Sequence, residues 1–164
     1  MSLAGSKDTP SYILRMSDMM RYILYDGREA TVPLDKDLQF LENYIAMEQK
    51  RYPDAKLNFT FSNGAPTQPI VPLLLLPFIE NSFKHGAYRV NDTATVKGKL
   101  NATEDVLTFT LVNDILRAGN KNNASGVGLE NVLKRLQVHY PGRYVLTMND
   151  DGKQYSIKLE INFT

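Results

Sequence analysis

The chain has 164 residues, 43% of them hydrophobic, enough for one compact core with a helical appendage and short for two full domains. Its 19 basic and 18 acidic residues are mixed along the sequence and leave a net charge of +1, so no field draws in nucleic acid or an anionic membrane surface, and any anion must be held by a local site. With no cysteine, and only His85 and His139 as histidines, disulfides, thiol nucleophiles and cysteine-rich or multi-histidine metal sites drop out, and a reducing compartment fits.

Residues 1–7 begin small and polar, without an apolar signal region, and read as a cloning remnant. Asp8, Thr9 and Pro10 can open a helix over 8–25, with Ile13, Met16, Met20, Ile23 and Leu24 at helical spacing, until Asp26-Gly27 ends it. Pro33 can open a second helix, whose first turn carries Asp35 and Asp37 to suit the positive end of the helix dipole. Leu38, Leu41 and Ile45 form one stripe and Phe40, Tyr44, Met47 and Arg51 another, so this helix expects neighbours on two sides before Pro53 stops it.

From Lys56 the period changes to two. Leu57, Phe59 and Phe61 alternate with polar residues up to the Asn63-Gly64 turn, which predicts a half-buried strand. The apolar run 70–79 is about half the length of a membrane span and holds two prolines, so it belongs to a core, with a helix predicted over 72–85. Residues 93–102 and 106–113 read as an antiparallel hairpin, 114–125 as a glycine- and asparagine-bearing loop, and the stretch with Leu129, Val132, Leu133, Leu136 and Tyr140 on one face as a helix stopped by Pro141-Gly142. A closing hairpin, 144–148 with 154–162, completes the order. These elements predict an α+β fold: a two-layer sandwich with a mixed, mainly antiparallel sheet covered on one face by helices and preceded by N-terminal helices.

Two clusters could do chemistry. On the helix over 72–85, Leu75, Leu76, Phe78, Ile79, Ser82 and Phe83 share one arc, whereas Glu80, Asn81, Lys84 and His85 share the other. Asn81, Lys84 and His85 stand at i, i+3 and i+4, so an amide, an ammonium and an imidazole can converge on an anion with a hard cation; an ordinary solvated face would carry the same residues. In the second cluster, Ser125 to Asn131, Gly126 and Gly128 precede a helix, where backbone N–H groups can approach a phosphate, although a tight turn would look alike.

PLLLLPFIENSFKHG (72–86) and SGVGLENVLKRL (125–136) together resemble the nucleotide-binding boxes of the ATPase superfamily shared by histidine kinases, gyrase-type topoisomerases, a heat-shock chaperone family and mismatch-repair proteins. More narrowly, with LRMSDMMRY (14–22) and LENYIAMEQKRY (41–52), they are similar to bacterial sensor histidine kinases that pair with LytTR-type response regulators. The resemblance covers nearly the whole chain after residue 8. It implies ATP and Mg2+ as ligands, Asn81 as the metal-holding residue, and Glu80 as the group that orients or deprotonates the attacking nucleophile. Lys84 and His85 would offset phosphate charge, Gly126, Gly128 and Leu129 would belong to the glycine box, and 114–125 would form an ATP lid. Leu129 also fits plain core packing, and Asn131 and Arg135, at i and i+4, either reach the phosphates or bond to each other. By the same resemblance 8–30 is the tail of a dimerising, phosphoacceptor-bearing helical bundle, 31–164 is the ATP-binding domain, and the chain is a cytoplasmic piece of a membrane-anchored bacterial homodimer.

Two departures stand out. Where the superfamily carries an aspartate followed by glycine to accept the adenine amino group, the aligned residue is Asn113, followed by Asp114-Ile115, with Asp114 the rival if the alignment slips by one. Neither His85 nor His139 has the setting of the family's phosphorylated histidine, so the fragment is not expected to phosphorylate itself. A degenerate interaction module with weak or no nucleotide binding is the alternative reading, and an ATP-driven conformational switch a third.

Overall fold

The computed structural model describes residues 9–116 and 127–164. Helix α1, Thr9–Leu24, runs into a 3-10 turn, Asp26–Arg28; β1, Val32–Pro33, leads to α2, Leu34–Arg51, and then β2, Lys56–Asn63. A two-residue strand β3, Pro69–Ile70, precedes α3, Leu76–His85, and a 3-10 turn, Ala87–Arg89. The chain continues through β4, Thr95–Ala102, β5, Val106–Asp114, α4, Val127–His139, β6, Tyr144–Asp150, and β7, Gln154–Asn162. No helix among the described residues is long and apolar enough to cross a membrane.

The main sheet has the order β2-β4-β5-β7-β6, with β2 and β4 parallel and every other pair antiparallel, as the fold class anticipates. Register explains why one face is buried. Phe61, Leu100, Phe109, Leu159 and Leu146 lie side by side across the five strands, and so do Phe59, Gly98, Leu111, Ile157 and Met148, so the period-two apolar residues of each strand reach the same face. Thr108, Thr110, Lys158 and Glu160 occupy the opposite, open face. The helices cover the apolar side, where Phe78 of α3 meets Phe109 of β5 at 6.3 Å between ring centroids.

Helix α2 has neighbours on two sides, and its aromatic stripe reaches both: Phe40 stacks on Tyr22 of α1 at 4.9 Å, and Tyr44 on Phe83 of α3 at 5.8 Å. Two expectations, the starts of α3 and β4, need correction, and α1 adds an observation of its own. Helix α3 starts at Leu76 rather than Pro72, because Pro69 and Ile70 pair with β1 and Leu73 holds a φ of 58°, which no right-handed helix admits. Pro77, lacking an N–H, then fits the first turn, where that donor would be unused anyway. The apolar stripe of α1 does not enter the core: Ile13 is 58% and Met20 56% exposed, and the residue this helix buries is Tyr22. Strand β4 begins at Thr95 rather than 93, since the Thr93 N–H is bound by the Asn91 side chain and the Ala94 N–H by the Asn91 carbonyl.

The Phe59 ring lies over Gly98 so closely that a Cβ there would fall 2.3 Å from it. Gly98→Ala is therefore expected to cost about 1–3 kcal/mol in urea unfolding, as overpacking does, and less in a Phe59→Leu background, where the obstructing ring is gone.

Candidate functional site

The sheet presents α3 with Phe78, Ile79, Ser82 and Phe83 inward, as the projection predicts, and leaves Glu80, Lys84 and His85 exposed and Asn81 half-buried on the other side. The Ser82 hydroxyl satisfies itself by donating to the Ile79 carbonyl at 2.8 Å, so the buried side of the helix carries no free polar group there. Glu80 keeps a carboxyl whose pKa is pushed up by partial burial, the direction a proton acceptor working near neutrality needs. Its charge is felt by Tyr44 of α2, whose phenol is pushed up to about 12, first by burial and then by Glu80 and Glu48.

Gly86 ends α3 and bridges to Ile115, just past β5, which brings the end of the helix beside the end of that strand. A Cβ at Gly86 would come within 2.5 Å of the Ser82 carbonyl and 2.6 Å of the Tyr88 ring, so this approach requires glycine. At the end of β5, Asn113 follows Phe109 and Leu111 on the helix-covered face and is 1% exposed. Its Nδ2 makes only a 3.5 Å contact with the Asp114 carbonyl, and its Oδ1 has no partner among the described residues. A buried acceptor left open in this way costs roughly 1–3 kcal/mol in a core and marks a place where a donor can be received.

Asp114 points the other way. Its Oδ2 accepts the Thr95 N–H at 2.7 Å and the Thr95 hydroxyl at 3.3 Å, and its Oδ1 accepts the Gln154 amide at 2.8 Å, so both oxygens are engaged. The Gln154 bond, followed by those from Thr95, holds its carboxyl below the usual range.

At the start of α4, Gly128 faces Pro77 in the first turn of α3, with 3.8 Å left for a Cβ, so the two helix starts lie together. Gly126 lies outside the described residues, as does most of the proposed lid. Leu129 and Val132 are buried while Leu133 is 37% exposed, so only the first two join the core. Asn131 is exposed, and Arg135 does not reach it; the guanidinium donates instead to the Pro72 carbonyl at 2.5 Å and the Leu73 carbonyl at 3.4 Å. Asp37, read from sequence only as an N-terminal acid, is fully buried. Its Oδ1 accepts the Tyr22 hydroxyl at 2.5 Å and the Leu73 N–H at 2.9 Å. Its place at i+3 from Leu34 and one before Leu38 was the available signal, a carboxylate on an apolar stripe. A groove of about 550 Å3 lies elsewhere, between α1 and α2, lined by Tyr12, Met19, Tyr44 and Met47 among others.

The mixed five-stranded sheet with its helices on one face is an arrangement shared with solved histidine kinase domains. Comparison with known proteins agrees. Residues 1–57 match the family model described as histidine kinase. Over 75 residues the chain is 37% identical to the sensor protein kinase HptS of Staphylococcus aureus strain USA300, a match that takes in 45% of this chain and 14% of HptS, so the chain corresponds to a small part of that relative's length. The histidine kinase domain of the Erythrobacter litoralis EL346 blue-light activated histidine kinase superposes with a TM-score of 0.57 at 16% identity, over 93% of this chain and 81% of that one. Full-length ShkA, solved in complex with AMPPNP, gives 0.54 at 15% identity, over 92% of this chain and 35% of that one. The chain shares the fold of solved histidine kinase domains, and part of its sequence is similar to a sensor protein kinase.

Because the Asp114 pKa is depressed in the folded state, its stabilisation is present above the ordinary carboxylate value of about 3.9 and is lost as pH falls through the folded value. Urea titrations should show Asp114→Asn less stable than wild type at pH 7, with the gap closing as pH drops below about 4.

Proposed function

We propose that this domain binds Mg-ATP between α3 and the end of β5 and serves phosphoryl transfer from ATP to a histidine in another part of the full-length protein. One observation supports this above others: the open, buried Asn113 oxygen lies at the strand end to which the Gly86–Ile115 bridge ties the end of α3. ShkA, which shares the fold, was solved with a nucleotide analogue.

The donors present fit the ligand. Asn113 Oδ1 can accept the adenine amino group; being uncharged, it does so more weakly than an aspartate would. Among the described residues no group of three or more carboxylates and histidines exists to cage a metal. A Mg2+ would therefore be held by the Asn81 carbonyl oxygen together with phosphate oxygens, as suits a hard cation that keeps few protein ligands. Bound there, the ion would supply charge neutralisation. Lys84 and His85, exposed at the end of α3, would add positive charge along the phosphates, and the N–H groups at the start of α4, beside Gly128, would add hydrogen-bond donors. Glu80 would take the proton released when an imidazole nitrogen bonds to phosphorus and the bridging oxygen leaves with ADP. Arg135 is assigned to neither, since its guanidinium is held by Pro72 and Leu73.

His85 ends α3 and His139 ends α4, positions that suit neither for the phosphoacceptor role. The acceptor would be carried by the helical bundle to which α1 leads, in a homodimer. The phosphoryl group would pass on to a response regulator of the LytTR type. An interaction module without nucleotide binding is the second reading, and the neutral Asn113 is the observation in its favour.

Calorimetry with Mg-ATP and Mg-ADP decides between the two. The folded wild-type protein is expected to bind in the micromolar to sub-millimolar range. Asn81→Ala should weaken only the Mg2+-dependent part, by about tenfold, equivalent to about 1.4 kcal/mol, whereas Asn113→Ala should weaken binding equally with and without Mg2+. Wild-type protein that is folded and takes up no nucleotide at millimolar concentration would transfer the assignment to the interaction module.

A further inference from the structure

Three helices converge on one strained turn ahead of the proposed nucleotide helix. Leu73, with its φ of 58°, is the non-glycine residue with positive φ among the described residues. Both polar groups of its backbone are taken by side chains from elsewhere: the N–H by Asp37 Oδ1 of α2 at 2.9 Å and the carbonyl by Arg135 of α4 at 3.4 Å. Arg135 also binds the preceding carbonyl, that of Pro72. The same Asp37 oxygen accepts the hydroxyl of Tyr22, which α1 supplies, while Asp37 Oδ2 has no partner among the described residues. Asp37 and Arg135 thus act on opposite ends of one residue, and the carboxylate draws one of its two donors from a helix that lies outside the sandwich.

The turn matters because α3 begins three residues later, at Leu76. Wherever Leu73 is held, the axial position and rotation of α3 follow, and with them Asn81 and the Gly86 bridge to Ile115. Helix α4 is tied to the same turn through Arg135 and abuts α3 at Gly128 and Pro77.

We propose that Asp37 is a positioning residue for the nucleotide site, clasping the Leu73 turn together with Arg135, and that Tyr22 makes the clasp depend on where α1 lies. If α1 shifts, the carboxylate loses the Tyr22 O–H while still buried, and an under-bonded buried charge recruits water or moves, releasing the Leu73 N–H. The nucleotide helix is then free to change its start. This proposal rests on the nucleotide reading of α3 given above, and it supplies that site with an input from outside the sandwich.

The decisive variant is Tyr22→Phe, which removes one hydroxyl and leaves the ring stacked on Phe40. It is compared with Asp37→Ala, with Asp37→Asn, whose amide oxygen still accepts, and with Tyr25→Phe as a control, since Tyr25 is 71% exposed. Hydrogen exchange by mass spectrometry reads the turn, and calorimetry with Mg-ADP reads the site. In Tyr22→Phe, exchange should quicken several-fold over 72–83 and stay at wild-type rates over 144–162, with Mg-ADP affinity falling about three- to tenfold, the scale of one lost hydrogen bond. Asp37→Ala should exceed it on both readouts, Asp37→Asn should recover most of the affinity, and Tyr25→Phe should match wild type. Exchange that quickens uniformly along the chain would reduce the network to ordinary stability and overturn the proposal. So would a Tyr22→Phe protein with wild-type Mg-ADP affinity. Failure of the wild type itself to bind Mg-ADP overturns the underlying nucleotide reading, and is told apart because it appears before any substitution is made.

Discussion

A leucine at positive φ is unstable by itself, by roughly 1–2 kcal/mol, and Leu73 keeps that conformation because its N–H and carbonyl are bound from two directions by Asp37 and Arg135. The rest of the helical layer is arranged around this point. Tyr22 fixes α1 against it, α2 supplies the carboxylate, α3 starts just beyond it and α4 reaches back to it. Burial sets opposite pressures on the two charged groups, pushing the Asp37 carboxyl up and the Arg135 guanidinium down, and each is partly offset by the other's charge.

The sheet supplies the second constraint. Its apolar residues fall on one face through a register that runs unbroken from Phe61 to Leu146, and the helical layer can therefore sit on only one side. Within that face Asn113 is the polar exception, at the end of a strand and next to the bridge between Gly86 and Ile115. A core position would have been better filled by an aliphatic residue; an amide with an open oxygen there is the sort of local inconsistency that functional sites introduce.

Much of this was legible in the sequence, because the signals were periodic and local. The alternation in 56–63, the hairpin around 103–105 and the two faces of α3 follow from spacing alone, and so does the inward aim of Asn113, two residues on from Leu111. Three features resisted. The start of α3 was hidden by an apolar run that reads as helix until the tertiary pull of Asp37 and Arg135 on Leu73 is known. Arg135 read either as a phosphate ligand or as a partner of Asn131, four residues back on one helix, while its hydrogen-bond partners lie more than sixty residues away. Helix α1 carries an apolar stripe, yet the residue it buries lies off that stripe: Tyr22, whose hydroxyl goes to a carboxylate that no periodicity would join to it.

The one parallel pair in the sheet carries a consequence for how the domain comes apart. Strands β2 and β4 cannot be joined by a tight turn, and the connection between them contains α3. The β4–β5 and β6–β7 hairpins are local in sequence and close with little loop entropy, whereas β2 finds its single neighbour only after the crossover helix has docked. Conversely, stripping β2 from the edge would loosen one end of the crossover while the Leu73 turn still held the start of α3. The helix bearing Asn81 thus sits in the middle of a non-local connection, so its docking and the pairing of β2 with β4 depend on each other.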